Sequence, residues 1–280
     1  MKATVSVIIP TYNRKEELIR CIHTVFDQSY KNTIEIIIID DTETSQKKVL
    51  EKEFSSEQLL GKERKITYIH NSNKKGAPFA RNLGIKKATG KYIAFLDDDD
   101  IWLPEKLEKQ IRIMEKNPLV GLVICHSLDK RFGKERISKP PKTVSHEFIL
   151  KSFNLSSTSS YLLRKEVVIK LGGFDTCLHS AQEYDLAIRV SKNYKVRCIP
   201  EVLMIQHATK GQISEDWNRK ICGLIEIYHK HGKDFSSISC CTTLINHIKF
   251  LGMLGLYSIG YFIGNKIYTI IIPAKEIYET

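Results

Sequence analysis

The run AFLDDDDIW (94–102) places four consecutive carboxylates, Asp97, Asp98, Asp99 and Asp100, directly after an apolar stretch of strand length. Like charges this close repel, so the run either faces solvent or is held together by a cation. A carboxylate cluster on a loop after a buried strand suits a hard divalent ion, Mn2+ or Mg2+, which takes oxygen ligands and completes its shell with phosphate oxygens and water. The competing use is structural. Asp99 or Asp100 is placed to cap the helix expected from Pro104 onward, where negative charge is favoured. One aspartate serves a cap, and four exceed that need.

The elements that must position this run are legible upstream. Apolar runs at 5–9, 34–39, 66–70 and 92–96 alternate with helical segments at 15–28, 44–60 and 77–88. Strands apolar throughout, rather than alternating, predict an α/β fold whose mostly parallel sheet is covered by helices on both faces. Ligands of such sheets bind at the carboxyl ends of the strands, and four polar clusters fall there. Pro10, Thr11, Tyr12, Asn13 and Arg14 follow the first strand, Asp40 and Asp41 the second, residues 71–76 the third, and the aspartate run the fourth. Beyond residue 100 the pattern loosens, with helices expected at 104–116, 183–192 and 217–230 and strands at 120–126, 159–163, 196–199 and 202–206. Glu183 and Asp185 fall on a helix whose Leu186 and Val190 turn inward, so both are either solvated or available for acid–base work.

The 280 residues, 42% hydrophobic and 27% charged, describe an ordinary globular chain with room for one large α/β domain and an extension. Seven cysteines form an odd set without a C-x-x-C pair, which reads as free thiols in a reducing compartment. The opening apolar run VSVIIP is too short for the core of a secretory signal, so a cytoplasmic location is expected. The formal charge is +11, and six of the bases lie in KRFGKERISKPPK (130–142), either a solvated loop or a contact for anionic lipid or a diphosphate. No nucleic-acid motif is present, which disfavours that partner. FLGMLGLYSIGYFIG (250–264) is free of charge but shorter than the roughly 20 residues of a membrane span. It predicts a packed helix pair or a peripheral membrane contact.

VSVIIPTYNR (5–14), IIIIDD (36–41), NSNKKGAPFARNLGIKKATGKYIAFLDDDDIWLPEKLEKQ (71–110), GGFD (172–175) and QEYDLAIRV (182–190) together resemble, in order, the family-two inverting glycosyltransferases of GT-A fold. The resemblance covers roughly residues 4–210. It implies a Rossmann-like, mostly parallel sheet flanked by helices in a catalytic domain over 1–215, with a nucleotide-sugar half (1–100), an acceptor half (101–215) and a helical extension over 216–280. It further implies that the 10–14 segment, with Asp40 or Asp41 and Asp40 ahead of the two, holds the base of a nucleotide-sugar donor, and that Gly76 and Arg81 approach its phosphates or ribose. Asp97 and Asp98 would face ribose or metal-bound water, Asp99 would hold Mn2+ or Mg2+ with His207 beside it, and Asp100 would be the helix cap. Glu183 takes the position of the general base. This departs from the commoner Glu-Asp pairing of the family and keeps Asp185 open as the alternative.

The activity so implied is metal-dependent, inverting transfer of a hexose-type sugar from a nucleotide diphosphate, UDP above others, to a hydroxyl acceptor such as a lipid-linked glycan. The setting would be surface polysaccharide assembly at the inner face of the plasma membrane. Two other readings stand beside it. A nucleotidyltransferase is disfavoured by the lack of a glycine-rich phosphate loop with a lysine near the start. A non-catalytic nucleotide-sugar or glycan-binding subunit draws on the departure at Glu183.

Overall fold

The structure, a computed structural model, describes residues 4–54, 63–72, 75–130, 135–152, 155–207 and 216–237. These fall into two compact units, one within Met1–Lys210 and one within Gly211–Thr280. The first unit is built on a single sheet whose strands lie in the order Arg64–His70, Ile34–Asp40, Val5–Thr11, Tyr92–Phe95, Leu162–Arg164, Val120–Asp129, Lys195–Gln206 and Ile101–Trp102.

Its first half is the alternation the sequence predicts: β1 (Val5–Thr11), α1 (Lys15–Phe26), β2 (Ile34–Asp40), α2 (Lys47–Glu53), β3 (Arg64–His70), α3 (Ala77–Lys87) and β4 (Tyr92–Phe95). Every residue of β1, β2 and β4 is buried. The isoleucines of β2 and the Val5, Val7 and Ile9 series of β1 have no solvent contact, as strands covered on both faces require. All pairings here are parallel, and Thr11 stands opposite Asp40, which stands opposite His70. The Leu96 N–H donates to Ile8 O (3.1 Å), so the chain leaves β4 beside the end of β1. From β1 the chain passes to β2 on one side, while β4 lies on the other. Such a switch point opens a crevice at the carboxyl ends.

The second half is mixed. β9 (Leu162–Arg164) runs antiparallel between β4 and β6 (Val120–Asp129), β6 is parallel to β10 (Lys195–Gln206), and β5 (Ile101–Trp102) returns antiparallel on β10. The strand expected at 159–163 is a 3-10 turn, Thr158–Ser160, followed by the shorter β9. The strands expected at 196–199 and 202–206 are one strand, β10, whose register with β6 slips between Ile199 and Val202. Pro200, which has no N–H to give the ladder, lies in that gap. Part of the basic stretch forms β7 (Arg136–Ser138) on β6, and β8 (Thr143–Val144) pairs with β10. Residues 131–134 lie outside the described residues.

Helices α4 (Lys106–Lys116), α5 (His146–Ser152), α6 (Lys165–Lys170) and α7 (Gln182–Ser191) complete this unit. The cap expected of Asp99 or Asp100 is not formed. β5 intervenes after the aspartates, and α4 starts with Glu105 at its N-cap and no side-chain cap bond. In the second unit the described residues form α8 (Trp217–Lys230), capped by Asp216 accepting from the Arg219 N–H (3.1 Å), and α9 (Gly232–Ser237). The apolar run 250–264, with the membrane contact expected of it, lies outside the described residues. Among those described, no helix is long and apolar enough to cross a membrane.

Candidate active site

The cations that hold the aspartate run together are guanidinium groups. Arg14 Nη1 donates to Asp98 Oδ1 and to Asp99 Oδ2, both at 2.9 Å, and Thr11 Oγ1 donates to Asp98 Oδ2 at 2.8 Å. Arg81, on α3, pairs with Asp97. The end of β1 and the start of α3 are thus tied to the loop after β4. Burial, helped by the neighbouring Asp99, pushes the Asp98 carboxyl up to about 6 against the opposing pull of Arg14 and its hydrogen bonds. Burial works against the charge on Arg14, but Asp98 and Asp99 outweigh it and the pKa is raised. The backbone of the run is fixed as well: Asp97 N–H donates to Ser159 Oγ (3.0 Å), and Asp100 N–H to Asp97 O (3.0 Å).

Around the end of β2 the two aspartates differ. Asp40 accepts from the Thr42 N–H (3.0 Å) and hydroxyl (2.6 Å), the Gln46 N–H (3.1 Å) and amide (3.3 Å), and the Tyr68 hydroxyl. Five donors fill the roughly four lone-pair sites of a carboxylate. Burial raises the Asp40 pKa, but these bonds outweigh it and hold it below the usual carboxylate value. Asp41 accepts from Asn71 Nδ2 (2.7 Å) and from the Gly76 N–H (2.9 Å). Gly76 has φ +85°, a conformation that glycine takes without strain, and it opens α3 just before Pro78. Asn13 takes φ +54° between Tyr12, which is 37% exposed, and Arg14. Pro10 and Thr11 are buried in β1.

In the second half, Asp185 is fully buried and accepts from Arg189 Nε (2.8 Å) and Nη2 (2.7 Å). Arg189 also donates to Leu171 O (2.6 Å) and Gly173 O (2.7 Å). This pair therefore fixes the Gly-Gly loop to α7. Glu183 lies in the first turn of α7, two residues after its N-cap Ala181, a non-glycine residue at φ +59°. Such backbone strain is concentrated at functional sites. The Tyr161 hydroxyl donates to Glu183 O (3.2 Å).

Asn82 belongs to the 71–110 stretch that carries the resemblance, but the sequence assigns it no role of its own. Its amide donates to Phe174 O (2.7 Å) and its oxygen accepts the Phe174 N–H (2.8 Å), clipping the GGFD loop to α3. Phe174 packs against Phe95 in a T-shaped arrangement at 5.0 Å, and the Arg81 guanidinium lies over the Phe174 ring at 5.4 Å. No local pattern marks Asn82 for this, because its partner is 92 residues away. Lys106 is a second such residue. It is fully buried, donates to Gln110 Oε1 (2.9 Å) and lies 3.8 Å from the Trp102 ring centroid. Trp102 donates to Ser159 O (2.8 Å) and Gln110 to Ser160 O (2.7 Å), so this group supports the turn on which Asp97 rests.

His207 follows β10. Burial, Arg20 and Lys130 lower its pKa, while Asp99 raises it. For a divalent ion the donor chemistry is right, since Asp97, Asp98 and Asp99 offer hard carboxylate oxygens. Among the described residues no group of three or more His, Cys, Asp or Glu side chains could enclose an ion. The set fits an ion held by one or two side chains and completed by phosphate oxygens and water, as Mg2+ and Mn2+ commonly are. A buried orphan donor supports the anionic partner: Arg81 Nε has no hydrogen-bond partner among the described residues.

Residues 6–172 match the family model described as Glycosyl transferase family 2. The chain belongs to this family. It is 31% identical to the putative colanic acid biosynthesis glycosyl transferase WcaA of Escherichia coli K12 over 248 residues, 84% of this chain and 84% of WcaA. It is 34% identical to the UDP-Glc:alpha-D-GlcNAc-diphosphoundecaprenol beta-1,3-glucosyltransferase WfaP of Escherichia coli over 165 residues, 58% of this chain and 62% of WfaP. Among solved structures it is similar to the mannosyltransferase PcManGT of Pyrobaculum calidifontis in complex with GDP-Man and Mn2+. The TM-score is 0.67 with 16% identity, covering 95% of this chain and 77% of that one. The fold of this family-two chain is GT-A, as the motifs predict.

Proposed function

We propose that this family-two chain is a metal-dependent inverting glycosyltransferase of surface polysaccharide assembly, moving a hexose from a UDP-sugar to a hydroxyl on a lipid-linked glycan. The observation that carries this reading is the meeting of Arg14, Arg81 and the Asp97–Asp99 carboxylates at the switch point of the sheet. UDP and the lipid diphosphate acceptor are drawn from what WfaP is named for, and the polysaccharide setting from WcaA. In this reading Tyr12 stacks on the base and Asp41 accepts its N–H, with Pro10, Thr11 and Asn13 shaping that turn. Asp40 holds the loop that presents Asp41. Gly76 lets backbone approach the donor, and Arg14 and Arg81 neutralise phosphate oxygens.

Asp99, with His207 beside it, would hold Mn2+ or Mg2+, and Asp97 and Asp98 would face ribose and the ion's water. When bound, the ion neutralises charge on the leaving diphosphate. Glu183 takes the acceptor hydroxyl proton as that oxygen forms its bond to the anomeric carbon from the face opposite the diphosphate. The carbon–oxygen bond to the diphosphate breaks with its electron pair on the departing oxygen, and the configuration inverts. Asp185, bound by Arg189, positions the loop and is not the base. The basic segment at 130–142 and the apolar run at 250–264 support a peripheral contact at the inner face of the membrane. A thermal-shift screen of UDP- and GDP-sugars with and without Mn2+ tests the donor end. A selective, Mn2+-dependent shift with a UDP-sugar is expected, and none with any nucleotide sugar would overturn the reading.

A further inference from the structure

A second polar site lies on the β6–β10 side of the sheet. Ser127 Oγ, in a residue with no solvent exposure, and Ser156 Oγ, in a residue 4% exposed, have no hydrogen-bond partner among the described residues. Both line one groove of about 170 Å3, together with Asp129, Arg136, Ser138 and Gln206. The register explains why they meet. Ser127 stands opposite Ser138 and Asp129 opposite Arg136 across β6 and β7, while Gln206 stands opposite Asp129 across β6 and β10. Side chains directly opposite share a sheet face, and i and i+2 repeat it. The carboxyl end of β6 therefore presents two hydroxyls, a carboxylate, a guanidinium and an amide on one side, and the 155–157 segment brings Ser156 to the same groove.

The groove is joined to the donor-side machinery at both ends. Ser157, in its wall, caps the Thr158–Ser160 turn whose Ser159 accepts the Asp97 N–H. Gln206 precedes His207, which feels the charge of Asp99. Buried hydroxyls left unpaired cost free energy, and native proteins pair nearly all of them. A hydroxyl is donor and acceptor at once, so its natural complement is another hydroxyl. Asp129, Gln206 and Arg136 are planar groups that reach two vicinal oxygens together. Among the described residues no aromatic ring lines the groove, which favours recognition of a sugar's hydroxyl edge over stacking on its face.

We infer that this groove is a subsite for one neutral hexose ring of the acceptor, with Ser127 and Ser156 as specificity-determining residues that bond its hydroxyls. The inference rests on the transfer reaction proposed above, whose donor end is tested separately. The test is ligand-observed NMR with methyl glucoside, galactoside, mannoside and N-acetylglucosaminide, each up to about 50 mM, on the full chain with Mn2+ and UDP-glucose. At least one glycoside is expected to bind with millimolar Kd and to weaken 10-fold or more in the Ser127→Ala/Ser156→Ala variant. The variant should keep the wild-type UDP-glucose shift and melt no lower than wild type, since it removes two unpaired hydroxyls. No glycoside binding to wild type, or equal binding to the variant, overturns the subsite; so does a lower melting temperature in the variant, which would mean that water alone pairs these hydroxyls. Loss of the UDP-glucose shift in wild type strikes at the donor reading instead, and the glycoside titration still decides the groove.

Discussion

At the scale of single residues, two carboxylates two positions apart on α7 separate by environment. Asp185 has no solvent contact and is gripped at two nitrogens by Arg189. Breaking a buried pair leaves a charge without its partner, so Asp185→Asn should lose about 3 kcal/mol in urea unfolding. Glu183→Gln, at a half-buried position, should cost less stability than Asp185→Asn and lower transfer roughly 100- to 10,000-fold, the range of general-base catalysis. Equal losses of stability in the two variants would remove the distinction. The sequence held both candidates open, because a helical period places residues on faces but does not report a guanidinium from the next turn. Lys106 carries the pH prediction. Burial lowers its pKa to about 8 from the ordinary 10.5. Between those values the unfolded chain holds a proton that the folded chain has released, so stability rises with pH through that window. A shift of this size corresponds to about 3 kcal/mol. Urea midpoints of wild type should climb between pH 8 and about 10, whereas Lys106→Met should lack that Lys106-dependent rise.

At the scale of elements, what was legible was local. The first four strands are continuous apolar runs, and their parallel order follows from short β-α-β connections, so the end of β1 and the loop after β4 could be placed together from sequence. The bonds that finish the site are not local. Asn82 reaches Phe174 across 92 residues, and Ser159 reaches Asp97 across 62. β5, two residues long, lies below what apolar periodicity can register, and it is the reason the expected aspartate cap fails. The Asn82 clip makes an element-level prediction. Its two bonds hold the backbone of Phe174, and a Cβ on Gly173 would come within 2.4 Å of the Asn82 oxygen, at φ +74°. Asn82→Ala loses two partly buried hydrogen bonds, which amounts to about 2 kcal/mol. Because the clipped loop leads to α7 and Glu183, transfer should fall in this variant while the nucleotide-sugar thermal shift stays at the wild-type value. A variant with full transfer activity would detach the loop from catalysis.

At the scale of the whole molecule, the first unit contains every residue assigned to the site, from Pro10 to His207, within Met1–Lys210. Its core is likewise internal: Val5, Ile36, Phe95 and Leu122, from both halves of the sheet, and Leu186 on α7 have no solvent contact. The motifs that carry the family resemblance set out a catalytic part, and the charge-free run at 250–264 set a differently made stretch after it, although periodicity alone could not assign that stretch its role. If the division of labour follows the division into units, a 1–210 fragment should unfold in one cooperative urea transition and keep the Mn2+-dependent UDP-sugar shift, with Kd within about twofold of the full chain. The same fragment should sediment less with vesicles of phosphatidylserine and phosphatidylcholine than the full chain does. Basic groups near an anionic surface contribute on the order of 1 kcal/mol each, and salt screens them. Raising salt should therefore strip the fragment from vesicles, whereas the full chain, with its apolar run added, should hold on at salt that releases the fragment. Identical sedimentation of the two at every salt concentration would remove the tail from any membrane role and leave only the basic segment to account for binding.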